Sequence, residues 1–197
     1  SMNNDGDTPP QPITSVLDAA ESFASRMQEG DQVALVTFAT QAVLNSTLTG
    51  NVGGVAQAVA ELTIDPAEET GSTNTGDALV QAALELTSDR HNMEARKILV
   101  LLTDGLATAP DEEPEAYALA AAKAAKAKGV TIYTIGLGEN VNMDFVKQLA
   151  SSNEQAYAAL TTADIDRIYR TITADLCEDG AAVIEIIPKT DAGFSSL

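Results

Sequence analysis

Arg96-Lys-Ile-Leu-Val-Leu-Leu-Thr-Asp-Gly105 is the stretch that decides the fold. Its apolar run, Ile98 to Leu102, is short and has no polar face, so it reads as a strand buried on both sides. The strand stops at Thr103-Asp104-Gly105, which leaves a carboxylate at its tip. Gln32-Val-Ala-Leu-Val-Thr-Phe38 and Thr131-Ile-Tyr-Thr-Ile-Gly136 have the same character, whereas Ala42 to Thr49 alternates as an edge strand does. Helical patterns fill the gaps. Val16, Leu17, Ala20, Phe23, Ala24 and Met27 form one stripe ahead of Gly30. A second helix falls near Val52–Leu62, and a third carries Leu79, Ala82, Ala83 and Leu86. Pro114 opens a fourth that Lys128 and Gly129 close, and a fifth lies around Met143–Ala150. After a short Ala156–Leu160 strand, a last helix starts at Thr161 and buries Ile165, Ile168, Tyr169, Ile172 and Leu176. Strands alternating with helices predict an α/β fold: a doubly wound, mostly parallel sheet with helices on both faces. Ligands of such sheets sit beyond the strand carboxyl ends, which directs attention to the loops after Leu102 and around Thr73.

Composition narrows the function. With 29 acidic against 11 basic residues the chain carries −18, a surface that repels phosphate backbones and anionic lipids. Nucleic acid is therefore not an expected partner, and no apolar run approaches the ~20 residues of a membrane span. Such charge suits a secreted or cell-surface protein, with an acidic intracellular protein as the alternative. The lone cysteine, Cys177, forms no internal disulfide framework. The lone histidine, His91, falls in a polar turn and supports neither a His-based triad nor a histidine-rich metal site. Asn3-Asn-Asp5-Gly-Asp7 has calcium-loop residues but no closing glutamate, and reads as a solvated turn.

Two segments carry the chemistry. Gly71-Ser-Thr73-Asn-Thr-Gly76 sets hydroxyls in a loop just before a helix, and Asp104 ends the most hydrophobic strand. Hydroxyl and carboxylate oxygens are hard ligands suited to Mg²⁺, Mn²⁺ or Ca²⁺. Each segment also has a plainer reading: a helix cap or anion cradle for the first, a turn for the second.

Taken together, in this order and spacing, they resemble the von Willebrand factor type A (VWA) family. Gly30–Phe38 looks like its second strand, Gly71–Gly76 its metal-site threonine loop, Arg96–Gly105 its aspartate strand and Gly129–Gly138 its fifth strand. The likeness covers roughly residues 1–177, implies a Rossmann-like VWA fold, and assigns residues 1–178 to that domain. It also implies a metal-ion-dependent adhesion site built from a DxSxS motif, a threonine and an aspartate. Carried over, Thr73 is the threonine and Asp104 the aspartate. Ser1-Met2 resembles the end of DxSGSM, which makes Ser1 the last serine and leaves the first central strand missing. Whether Ser1 is that serine or a remnant stays open. With the first carboxylate gone, Mg²⁺ (or Mn²⁺ or Ca²⁺) is expected to bind weakly or not at all to this chain, although the parent protein binds it.

The segment 179–197 bears on that gap. Ala182-Val-Ile-Glu-Ile-Ile187 is apolar and β-branched, long enough for a central parallel strand, and Asp191-Ala-Gly-Phe-Ser195 echoes DxSxS. Two readings stand: the tail fills the vacant slot, in one chain or as a strand-exchanged homodimer, or it begins a following domain. The resemblance implies a non-enzymatic protein-binding and adhesion module whose ion takes an acidic side chain of a protein ligand. An intracellular assembly or regulatory subunit partnering an ATPase is the alternative. A phosphoryl-transfer enzyme is disfavoured, because the chain has neither a P-loop nor a paired DxD at a strand end.

Overall fold

The computed structural model describes residues 12–28, 30–62, 72–103, 106–110, 112–139, 141–176 and 181–188. Six strands form one sheet: β1 (Gln32–Phe38), β2 (Ala42–Thr49), β3 (Arg96–Thr103), β4 (Thr131–Leu137), β5 (Ala156–Ala159) and β6 (Ala181–Pro188). Among the described residues six α-helices flank it: α1 (Pro12–Ala24), α2 (Val52–Ala60), α3 (Thr75–Glu85), α4 (Pro114–Ala127), α5 (Met143–Leu149) and α6 (Thr162–Leu176). The strand order is β2-β1-β6-β3-β4-β5, with β2 antiparallel to β1 and every other pairing parallel. The expected doubly wound, mostly parallel sheet is therefore what the chain forms.

The strand patterns follow from this layering. Alternate residues of β1, β3 and β6 feed two separate cores, so every position from Ile98 to Leu102 is apolar and buried. Val33, Leu35, Ile98, Val100, Val183 and Ile187 pack beneath α1, α2 and α6. Ala34, Val36, Leu99, Leu101, Ile184 and Ile186 pack beneath α3, α4 and α5. The strand β2 lies at one edge and shows a half-buried alternation, as its sequence predicts. Alanines 118, 121, 122 and 125 let α4 lie close, and Gly129, at φ 79°, turns the chain into β4 with no Cβ to clash.

The C-terminal strand is the structure's main addition. Strand β6 lies between β1 and β3, pairing Leu35 with Glu185 on one side and Val100 with Glu185 on the other. The central slot is filled from within the chain, by 181–188 rather than the expected 182–187. Glu185 is a carboxylate in the middle of a buried strand, 1% exposed, and the hydroxyl of Tyr169 on α6 donates to it. The Tyr169 ring stacks on Phe23 of α1, with centroids 4.6 Å apart. Burial pushes the Glu185 carboxyl up to about 7, a rise the Tyr169 hydrogen bond limits. The same burial, with the neighbouring Glu185 charge, pushes the Tyr169 phenol well up.

His91 departs from its expected surroundings. The turn sequence around it is polar, yet the imidazole is buried between α3 and β3, and its Nε2 lacks a hydrogen-bond partner. Burial, then the charge of Lys97, lowers its pKa.

Candidate metal centre

The carboxyl ends of the parallel strands meet at one rim of the sheet. Phe38 pairs with Pro188, Leu101 with Ile186 and Thr103 with Gly136, so β1, β6, β3 and β4 all finish there. Asn74 caps α3 at this rim: its Oδ1 accepts from Asp77 N at 3.0 Å. Three hydrogen bonds tie the loop to the end of β1: Asn74 N to Ala39 O at 2.8 Å, Asn74 Nδ2 to Thr40 O at 3.2 Å and Ser72 N to the Thr40 hydroxyl at 3.1 Å. Asp77 also accepts from Ala42 N at 2.8 Å, which fastens the start of β2 to the first turn of α3.

The other side of the loop is bound to the segment that follows β3. The Thr108 hydroxyl accepts from Thr73 N at 2.7 Å, and Thr73 O accepts from Thr108 N at 2.9 Å and Ala109 N at 3.3 Å. The threonine loop and the chain just past the aspartate strand are thus one connected unit. Thr73 is buried at its floor, and Thr103, the last residue of β3, is fully buried. Asp104 and Ser1, the other two sequence-expected ligands, lie outside the described residues, as do Asn3–Asp7, Cys177 and Asp191–Ser195.

The donors that are described fit a hard cation better than a soft one. Among the described residues no three histidine, cysteine or carboxylate side chains gather, and the oxygens nearest Thr73 are those of threonines and backbone. One of them is a surplus: Thr75 is 0% exposed and its hydroxyl has no hydrogen-bond partner. Buried hydroxyls are nearly always bonded, and an unmet one two residues from Thr73 suits a site that takes up another polar group. A threonine in the first turn of a helix gives no sequence warning of this, since most face solvent.

Gly76 completes the local arrangement. A Cβ there would run into the ring of Tyr117, which α4 lays across the start of α3. Glycine is needed for this close approach, a reason the sequence alone did not supply.

The sequence profile of the von Willebrand factor type A domain matches residues 6–171, and the chain belongs to that family. Solved structures agree on the fold. Proximal thread matrix protein 1 from the mussel byssus superposes with a TM-score of 0.69 at 24% identity, over 84% of this chain and 41% of that one. The vWF domain of the type V pili tip protein Mfa5 from Porphyromonas gingivalis gives 0.67 at 16%, over 83% and 89%. The pilus adhesin SpaC from Lactobacillus rhamnosus GG gives 0.65 at 14%, over 83% and 28%. The chain thus spans under half the length of the mussel and SpaC proteins. The mussel protein has also been solved with zinc occupying its MIDAS motif. No curated protein sequence matches this chain.

Proposed function

We propose that this domain is a non-enzymatic, divalent-cation-dependent protein-binding module of a secreted or cell-surface protein. The observation that carries this reading is the set of three hydrogen bonds between Thr73 and the 108–109 segment, which holds the threonine loop against the chain that follows the aspartate strand. In the family the resemblance invokes, such loops share an ion, so Thr73 and Asp104 are assigned as ligands here, with Ser1 as a third. Mg²⁺ is the expected ion, with Mn²⁺ or Ca²⁺ as substitutes. Bound, it supplies an electrophilic coordination position, and neutral hydroxyl ligands leave that position receptive to a partner's carboxylate. The similar proteins, a byssus matrix protein and two pilus components, support an adhesive role. Residues 179–197 are assigned to this same domain as the segment that completes its sheet.

With one carboxylate among the assigned ligands, residues 1–197 should hold the ion weakly, because water must complete the octahedron. Calorimetric titration with MgCl₂ should give a dissociation constant on the order of a millimolar. Thr73→Ala and Asp104→Ala should each abolish the heat. Micromolar affinity would overturn the weak-site reading, and binding indifferent to both substitutions would overturn the site.

A further inference from the structure

Charge is distributed unevenly between the two ends of the sheet. The loops and first helical turns at the rim hold Asp77, Glu112, Glu113, Glu115, Glu139 and Asp144 and, among the described residues, no lysine or arginine. The opposite end is mixed, with Arg90, Arg96, Lys97, Lys126 and Lys128 among Asp31, Asp89 and Glu94. Part of this pattern serves the helices. Asp77, Glu115 and Asp144 sit in first turns, where the helix dipole favours a negative charge, and Lys126 lies in a last turn. Helix stabilisation does not account for Glu112 and Glu139, which are exposed and lie outside any helix, nor for Glu113, which caps α4 with no side-chain hydrogen bond.

An apolar shelf lies within this acidic rim. Leu106, three residues past the end of β3, is 52% exposed, and Tyr117 is 37% exposed where its ring covers Gly76. Beside them Ala107, Pro114, Ala116 and Leu119 line a shallow concavity edged by Glu113 and Glu115. An acidic partner surface would be repelled here, and a single carboxylate reaching an ion at the Thr73 loop must cross the same negative field.

We infer that the partner is a protein surface in which one carboxylate is surrounded by basic side chains and at least one large apolar side chain, the bases facing Glu112, Glu113 and Glu139 and the apolar group resting on Leu106 and Tyr117. The carboxylate at its centre rests on the cation-dependent reading above; the demand for a basic surface does not. Complementary charge of this kind raises association rates and is screened by salt.

Three synthetic peptides of equal length test this with the whole 197-residue chain in excess MnCl₂. One has a central aspartate flanked by lysines and a phenylalanine, the second replaces its lysines with glutamates, and the third replaces its aspartate with asparagine. The lysine peptide should bind, losing about tenfold in affinity between about 50 and about 300 mM NaCl, while the glutamate peptide should not bind. Glu112→Lys and Glu113→Lys should each weaken the lysine peptide by about threefold or more. Glu94→Lys, an equal charge change on an exposed residue at the opposite end, should leave binding unaltered. Equal binding of the lysine and glutamate peptides, absence of binding by both, or an equal effect of Glu94→Lys would overturn the inference. If the asparagine peptide binds as well as its parent, or EDTA changes nothing, the cation reading fails while the basic-partner inference stands.

Discussion

Glu185 makes the stability of this domain depend on pH in a direction unusual for a carboxylate. Most native carboxyls are held below their solution value and weaken the fold on acidification; Asp164 and Asp166, bonded chiefly to Thr161 and Arg26 respectively, are of that kind. Glu185 is raised from 4.5 to about 7, so the native state holds its proton more tightly than the unfolded chain does. Its contribution is complete below pH 4.5 and disappears as pH rises to about 7, in all roughly 3 kcal/mol. Glu185→Gln keeps a partner for Tyr169 and never ionises. Urea unfolding should therefore show the variant gaining about 2–3 kcal/mol on the parent between pH 4.5 and pH 8. A difference that stays constant with pH would refute this. Thr75 offers a second residue-level test. Its buried hydroxyl is unmatched, so Thr75→Val should raise metal-free stability by about 1 kcal/mol. A loss of similar size, seen by thermal or urea unfolding, would show that the hydroxyl has a partner after all.

At the level of elements, the edge of the sheet depends on one buried carboxylate. Glu85, in the last turn of α3, accepts from Leu48 N of β2 at 2.8 Å and from Arg90 Nε and Nη2 at 2.8 and 2.6 Å. A helix carboxyl end is an unfavourable place for an anion, and the Arg90 fork offsets this by holding the Glu85 carboxyl below its usual range. Replacing Glu85 with alanine strands the Leu48 donor and frees the guanidinium, at a cost of about 2–4 kcal/mol. Amide exchange should quicken in β2 ahead of β3, and a loss under about 1 kcal/mol would mean the edge is held otherwise. The elements themselves were largely legible: runs such as Ile98–Leu102 and the Pro114–Gly129 helix need only local periodicity and caps. The place of the Thr73 loop just ahead of α3 was legible too, because a hydroxyl-rich loop before a helix is a local pattern. Glu185, Thr75 and the Tyr117–Gly76 contact were not, since each depends on which residues distant in sequence cover it. His91 shows the same limit, with a polar local sequence around a buried ring.

For the molecule as a whole, β6 decides whether there is one sheet or two fragments. Without it, β1 and β3 would face each other across an open slot with their inward backbone groups unpaired, and Val183, Ile184, Ile186 and Ile187 would leave both cores. Deleting residues 181–197 should abolish cooperative unfolding and expose dye-binding apolar surface. A soluble product with an unaltered melting temperature would remove β6 from its assigned role. The sequence pattern showed that 182–187 could be a strand and the resemblance offered the vacant central slot as one of two places for it, but local composition could not choose between them, because neighbours in a parallel sheet are set by tertiary pairing.

The position of β6 also sets a timetable for synthesis. A ribosome makes β1 to β5 and the six described helices before the strand that joins the two halves of the sheet is translated. Until then the nascent polypeptide holds β2-β1 and β3-β4-β5 as separate pieces with bare facing edges, a species that invites chaperone capture. This sheet is therefore joined only when β6 emerges from the exit tunnel.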